Sequence, residues 1–171
     1  MIILSVQRIQ FINLKKFQKM CQLMTNPSLK IAKHDIVCYK LLKQWESGAY
    51  VTYYQNYLVK LGKMYEEDLS KFDEIVIPSK YLSPYSHVIE GGGFHLFTDD
   101  FELFNNLWYF SSDNLIMAEC TVPAGTLYYE GEFKILTGYV GRTIVSQKMR
   151  IDHVYDKFEF CEKVKKRHKV L

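Results

Sequence analysis

Long apolar runs, paired cysteines and the short signatures of nucleotide-handling enzymes are all missing from this sequence, and each absence narrows what the chain can be. No apolar run approaches the roughly 20 residues that a bilayer-spanning helix needs. The opening Met1-Ile2-Ile3-Leu4 has no basic stretch before it and no small-residue cleavage site after it, which argues against a secretory signal. Cys21, Cys38, Cys120 and Cys161 stand far apart with no C-x-x-C pair, so nothing resembles a zinc ribbon or a thioredoxin-type site. Cys38 and Cys120 fall inside apolar strand-like runs, where buried free thiols are expected. A reducing cytoplasm is the compartment this cysteine usage favours. Gly91-Gly92-Gly93 does not fit the G-x-G-x-x-G fingerprint, and a nucleophile elbow, a P-loop and H-E-x-x-H are all absent. Internal repeats and low-complexity tracts are absent too.

What is there describes a globular chain. With 171 residues, 48% of them hydrophobic and 15% aromatic, it is long enough for one domain with appendages that buries roughly two thirds of its unfolded surface. The net charge of +3 hides a division: residues 1–24 and residues 157–171 each carry +4, so the stretch between them is −5. A mildly acidic domain with basic ends argues against a phosphate-tracking groove on the domain itself and leaves nucleic acid or an anionic surface to the termini.

In residues 1–27 Leu14, Phe17, Cys21 and Met24 recur at helical spacing with lysines between them, which predicts a basic amphipathic extension. It either docks on its own domain, meets a protein partner or membrane surface, or precedes a natural start at Met20 or Met24. The break Asn26-Pro27-Ser28 opens a compact domain expected over residues 28–151. Asp35 to Leu42 reads as a central strand, and Lys40 inside it must snorkel, pair or line a cavity. Tyr50 to Tyr57 and Leu58 to Tyr65 are tyrosine-rich stretches whose rings either stack on bases or sugars or lie half-buried on a β-surface. Asp73 to Pro78 is a short strand, and Ser79 to Ser86 a loop.

Three glycines then run into Phe94-His95-Leu96-Phe97, a strand, followed by Thr98, Asp99 and Asp100 as the start of a helix with acids in its first turn. Phe101, Phe104, Leu107 and Trp108 share one face of that helix, which is expected to end near Ser111 to Asn114. Leu115 to Val122 alternates as a strand with Ile116, Ala118, Cys120 and Val122 on one side. Pro123-Ala124-Gly125 turns the chain, Thr126 to Glu130 returns until Gly131 interrupts, and Tyr139 to Val145 adds another strand. From Asp152 to about His168, the spacing of Val154, Phe158, Cys161 and Val164 predicts a C-terminal basic helix over residues 152–171 that packs on the domain. Its terminal cluster either complements the helix dipole or touches nucleic acid.

His95 is the candidate with most to offer, since a neutral ring after a glycine turn can donate to a sugar or phosphate or act as a general base; the competing reading is a structural histidine. Glu130 and Glu132 form an E-x-E pair that in a strand shares one face and can divide acid and base roles, or simply mark a hairpin.

Tyr39-Lys40, then Tyr57 to Tyr65 with Leu61-Gly62-Lys63, then Gly93-Phe94-His95, then Val122-Pro123-Ala124-Gly125 before Tyr128-Tyr129 resembles the ordered signature of small phage-borne and bacterial domains of unknown function, over about residues 34–146. More remotely it is similar to ADP-ribosyltransferase-like folds. That similarity implies a split sheet with a cleft for NAD or a related nucleotide, lined by Tyr39, Lys40, Gly92, Gly93, Phe94 and His95. Glu130 or Glu132 would then stabilise an oxocarbenium-like centre. Lys40 stands where those folds carry histidine or arginine, and their Ser-Thr-Ser is missing.

The expectation is therefore an α+β domain with a mixed, mostly antiparallel split sheet of about six strands, a central helix and a C-terminal helix. It binds a nucleotide-sized ligand of the NAD or ADP-ribose type around the Gly-Gly-Gly-Phe-His strand. The alternatives are a non-catalytic interaction or structural module with a protein partner, and an active NAD-dependent transferase or hydrolase. Ligand binding and the interaction module divide on whether Lys40, His95 and Glu130 or Glu132 surround one concave site.

Overall fold

The computed structural model describes residues 24–53, 56–67, 73–76, 87–90, 93–107, 114–135 and 138–169. Twelve strands and two helices lie within them. In chain order the strands are β1 (Met24–Ile31), β2 (Ile36–Gln44), β3 (Tyr50–Thr52), β4 (Leu58–Val59), β5 (Met64–Glu66), β6 (Asp73–Val76), β7 (His87–Glu90), β8 (Phe94–Phe97), β9 (Leu115–Val122), β10 (Leu127–Ile135), β11 (Gly138–Ser146) and β12 (Lys148–Asp156). Helix α1 (Asp100–Asn106) follows β8, and α2 (Lys157–His168) follows β12.

Ten strands form one open sheet along the path β1-β10-β11-β8-β2-β9-β12-β5, with β3 and β4 branching from β2; β6 and β7 pair apart from it. Every pairing among the described residues is antiparallel. The architecture is thus α+β and mostly β, with more strands than the about six expected and no parallel pair among those described to make it mixed. Sequence reading under-counted because β3, β4 and β5 are only two or three residues long, below what periodicity can register, and because β1 fell across the expected extension and break and β12 across the expected helix start.

Alternation sorts side chains onto two faces, and both are buried near the middle of the sheet. On one face of β2 and β9 lie Cys38, Leu42, Ile116, Ala118, Cys120 and Val122, packed with Phe94, Leu96, Ile144, Met149 and Ile151. On the other lie Tyr39, Leu41, Leu115 and Met117, packed with Phe97 and with Leu103, Leu107, Phe160 and Val164 of the two helices. The near-continuous apolar runs of β2 and β9 follow from this double burial. Glu67, just past β5, accepts a hydrogen bond from the Gly93 amide just before β8, although the two strands stand four places apart in the path. The sheet therefore curls, and the first cluster is its concave face.

One residue, Gln147, joins β11 to β12 at the corner where the chain leaves one flank of the curled sheet for the other. Ser146 is fully buried there; its hydroxyl donates to the Lys148 carbonyl at 2.8 Å and so satisfies a group the corner would strand.

The helix ends follow capping chemistry. Asp99 caps α1, its Oδ1 accepting from the amides of Phe101 at 2.8 Å and Glu102 at 3.0 Å. Asp156 and Glu159 form a capping box on α2. That box corrects the expected helix start: residues 148–156 are strand, and Val154 lies in β12 rather than on the helical stripe. Met149 and Ile151, buried on the concave face, hold that segment extended. The break at Asn26-Pro27-Ser28 is a register shift within β1, and Gly131 does not interrupt β10, which runs on to Ile135. In α1 and its C-cap the fully packed residues are Leu103 and Leu107, with Phe101 and Phe104 half-buried beside them. Trp108 lies outside the described residues, as do the expected N-terminal extension before Met24 and the loop from Ser79 to Ser86.

Candidate functional site

A cavity of about 220 Å³ opens where β2 changes neighbours. β2 meets β8 through the single pair Tyr39–Phe97 and then pairs with β3 from Leu42 to Gln44, so the sheet forks over the two residues between, Lys40 and Leu41. Alternation points Lys40 onto the concave face between Cys38 and Leu42. Its ammonium donates to the His95 carbonyl at 3.1 Å, an edge acceptor of β8 that β2 no longer pairs with. The fork thus explains the lysine that interrupts an apolar strand.

The walls come from four places in the chain. Gly93, with φ +89°, makes the bend into β8 and admits its backbone to the rim. Phe94 and Met149 supply the apolar side, and Tyr65 meets Phe94 edge-on with ring centroids 6.3 Å apart. Thr52 and Tyr57 come from the β3–β4 hairpin, where Asn56 takes a left-handed backbone (φ +57°) and the Thr52 hydroxyl accepts the Tyr57 amide at 3.0 Å. Glu66 and Glu67 complete the rim; Glu66 pairs with Lys148 at 3.2 Å and Glu67 accepts from Gly93. One cation, two carboxylates and aromatic faces therefore border one small space.

Of the residues singled out from sequence, Lys40, Gly93, Phe94 and His95 border this cavity; Gly92 lies outside the described residues. His95 contributes its carbonyl. By alternation its ring is on the opposite face from Phe94 and Leu96, with Phe97, where it is buried (7% exposed) and its Nδ1 has no hydrogen-bond partner among the described residues. Burial, reinforced by the Lys40 charge, pushes its pKa down to about 3, so the ring is neutral at pH 7 and does not face the cavity as a general base would. Tyr39 also lies on the far face, its hydroxyl near Asp100 and Arg167. Glu130 and Glu132 do share a face, but on β10, with β11 between them and β8. Glu130 is ion-paired with Lys30, and Glu132 stands opposite Arg142 in the ladder. They do not join Lys40 around one concave site.

Sequence reasoning did not find Thr52, Tyr65, Glu66, Glu67 and Met149 as cavity residues. Only the curl brings β5 and β12 beside β8, and no local pattern announces a curl. It also missed a second polar cluster on the helix side. Asp100, 4% exposed at its side chain, accepts from Arg167 Nη1 at 3.0 Å and lies 2.8 Å from His168 Nε2. Nearby, Lys163 pairs with Glu119 and donates to the Tyr155 hydroxyl at 2.8 Å. Lys165 pairs with Glu162. Much of the basic end of α2 is therefore engaged within the chain. Among the described residues no cluster of His, Cys, Asp and Glu is arranged to hold a metal ion, and no helix is long and apolar enough to cross a membrane.

Compared with protein-family models, curated proteins and solved structures, the sequence matches none. Function is therefore argued from the site.

Proposed function

We propose that this is a binding domain for a nucleotide-type ligand, of the NAD or ADP-ribose class, held at the fork cavity through its ribose-phosphate portion. The observation that carries the reading is that Lys40 and the carboxylates of Glu66 and Glu67 border the same space as the rings of Tyr57 and Tyr65. An ammonium complements a phosphate, a carboxylate accepts from ribose hydroxyls, and a tyrosine face stacks on a base. The cavity is smaller than the about 300–1,000 Å³ of a cleft that encloses a drug-sized ligand. It holds one ring-and-phosphate unit while the remainder passes over Tyr57, which is 62% exposed. The ligand class is the one that the resemblance of Gly93-Phe94-His95 to ADP-ribosyltransferase-like folds implies. Because Glu130 and Glu132 lie on β10, away from the cavity, the reading is of binding rather than transfer.

Thermal unfolding in the presence of adenosine, ADP, ADP-ribose or NAD tests it, with Lys40→Met and Tyr57→Ala as controls. At a hundredfold excess over Kd, a ligand specific to the folded state adds about 2.7 kcal/mol, on the order of 5–10 °C in Tm for a chain of this length. Absence of any shift at millimolar ligand, or a shift untouched by both substitutions, would sink the reading. A second reading, an interaction module, is favoured by the exposed apolar side chains Leu58, Leu61 and Met64 beside the edges of β4 and β5 that pair with no other described strand. It gains if Leu58→Glu with Met64→Glu abolishes association with a protein partner while nucleotides have no effect.

A further inference from the structure

Cys38 on β2 and Cys120 on β9 stand directly opposite one another in the antiparallel ladder. Both are free, fully buried and on the concave face. Directly opposed residues hold their Cβ atoms about 4.5–5.5 Å apart, and a disulfide requires about 3.5–4.5 Å. An approach of the order of 1 Å therefore joins them with no change of register. The same buried cluster includes Ala32 and Ala118, both with small side chains. Two thiols facing each other across the central rung of a sheet is a more specific arrangement than burial of small hydrophobes requires.

We propose that Cys38 and Cys120 form a dithiol that closes into a cross-strand disulfide under a two-electron oxidant of the peroxide class, covalently locking β2 to β9. One sulfur, as thiolate, attacks a peroxide oxygen; the O–O bond breaks, hydroxide leaves and takes up a proton, and a sulfenic acid remains. The second sulfur then displaces hydroxide from the first, the S–S bond forms, and the departing hydroxide leaves as water with the second thiol's proton. Two thiols are oxidised by two electrons and one peroxide is reduced to two waters. Burial pushes the Cys38 thiol up to about 12 and raises the Cys120 thiol as well, so the attack waits on transient separation of the strands. The same burial shields the finished bond from reducing thiols. The pair is a slow, durable modification site in the middle of the sheet.

Disulfide mapping of the full chain tests this. The protein is incubated with hydrogen peroxide, alkylated under denaturant and digested without reductant, in the wild type and in a Cys21→Ser, Cys161→Ser variant that leaves only the proposed pair. Expected are loss of both thiols, a mass lower by two hydrogens, a linked peptide joining Cys38 to Cys120, and a Tm several degrees higher than after dithiothreitol. Two findings would overturn the proposal: both thiols still alkylating after exposure long enough for complete hydrogen exchange of β2 and β9, or oxidation ending in sulfinic acid with no linkage. Linkages made only through Cys21 or Cys161 in the wild type also refute it. The wild-type map stands whether or not the double variant folds.

Discussion

Acidification from pH 7 to pH 5 should weaken this fold through one side chain on β8. The His95 ring is buried with no partner for Nδ1 among the described residues, and burial followed by the Lys40 charge lowers its pKa from 6.5 to about 3. The unfolded chain therefore takes up this proton first as pH falls. The stability linked to His95 is fully present above about pH 6.5 and is lost progressively as the pH drops towards 3. Between pH 7 and pH 5 the ring costs about 2 kcal/mol, since each unit of pH inside that window is worth about 1.4 kcal/mol. For a chain of this length that is roughly 4–8 °C in Tm. The check is the urea midpoint at both pH values for the wild type and for His95→Gln, which cannot titrate; the remaining histidines are common to both proteins and cancel in the difference. The wild type should lose about 2 kcal/mol more than the variant. Equal losses would refute the reasoning, because they would mean that the imidazole takes up its proton in the folded protein as readily as in the unfolded one.

Three further outcomes follow from the packing. Asp100→Ala removes the acceptor shared by Arg167, His168 and Tyr39 and should cost about 1–3 kcal/mol. Amide exchange of α2 should rise with it, and unchanged exchange there would count against the clamp. Burial alone would raise the Asp100 pKa, but the hydrogen bonds from His168 and Arg167, with their charges, leave it below its ordinary 3.8. The clamp's contribution is thus present above that pH and lost as the pH falls further. Phe160→Ala empties the contact of α2 with Tyr39 and Tyr155 and should lower stability by about 3–5 kcal/mol in a denaturant titration. Gly141→Ala would place a Cβ 2.8 Å from Glu102 Oε2 and 3.2 Å from Glu102 Cβ at a φ of +156°, which should cost about 1–3 kcal/mol; a variant as stable as the wild type would show that α1 can shift away from β11.

The strands with strong apolar runs were legible, and so was the helix after Phe97, because Asp99 caps it by a local rule. Lys40 could be marked as anomalous from sequence, since a cation in an apolar run demands an explanation. What it explains, a fork between β8 and β3, depends on pairings between segments tens of residues apart. His95 shows the opposite case. Its neighbours made it conspicuous, but the two-residue period of its strand sends its ring away from Lys40, which a reading of neighbours without the pleat overlooks. The basic end of α2, which in sequence suits either the helix dipole or an external anion, is set by topology against Asp100 and Glu119. Charge clusters are ambiguous in sequence because their acids are supplied by distant elements.

The pairing of β1 with β10 also governs how this chain is made. Lys30 and Glu130, an ion pair across that ladder, are 100 positions apart. At about 5–20 residues per second, a ribosome leaves the first strand waiting on the order of 5–20 s for its partner. During that interval Leu29 and Ile31, which stay exposed even in the finished fold, lie on a strand whose ladder partner has not been made, and β2 likewise waits for β9. Few contacts can form early, so folding should be slow and concerted rather than sequential. Yield in a cell should then respond more to nascent-chain protection than to the stability of the finished domain.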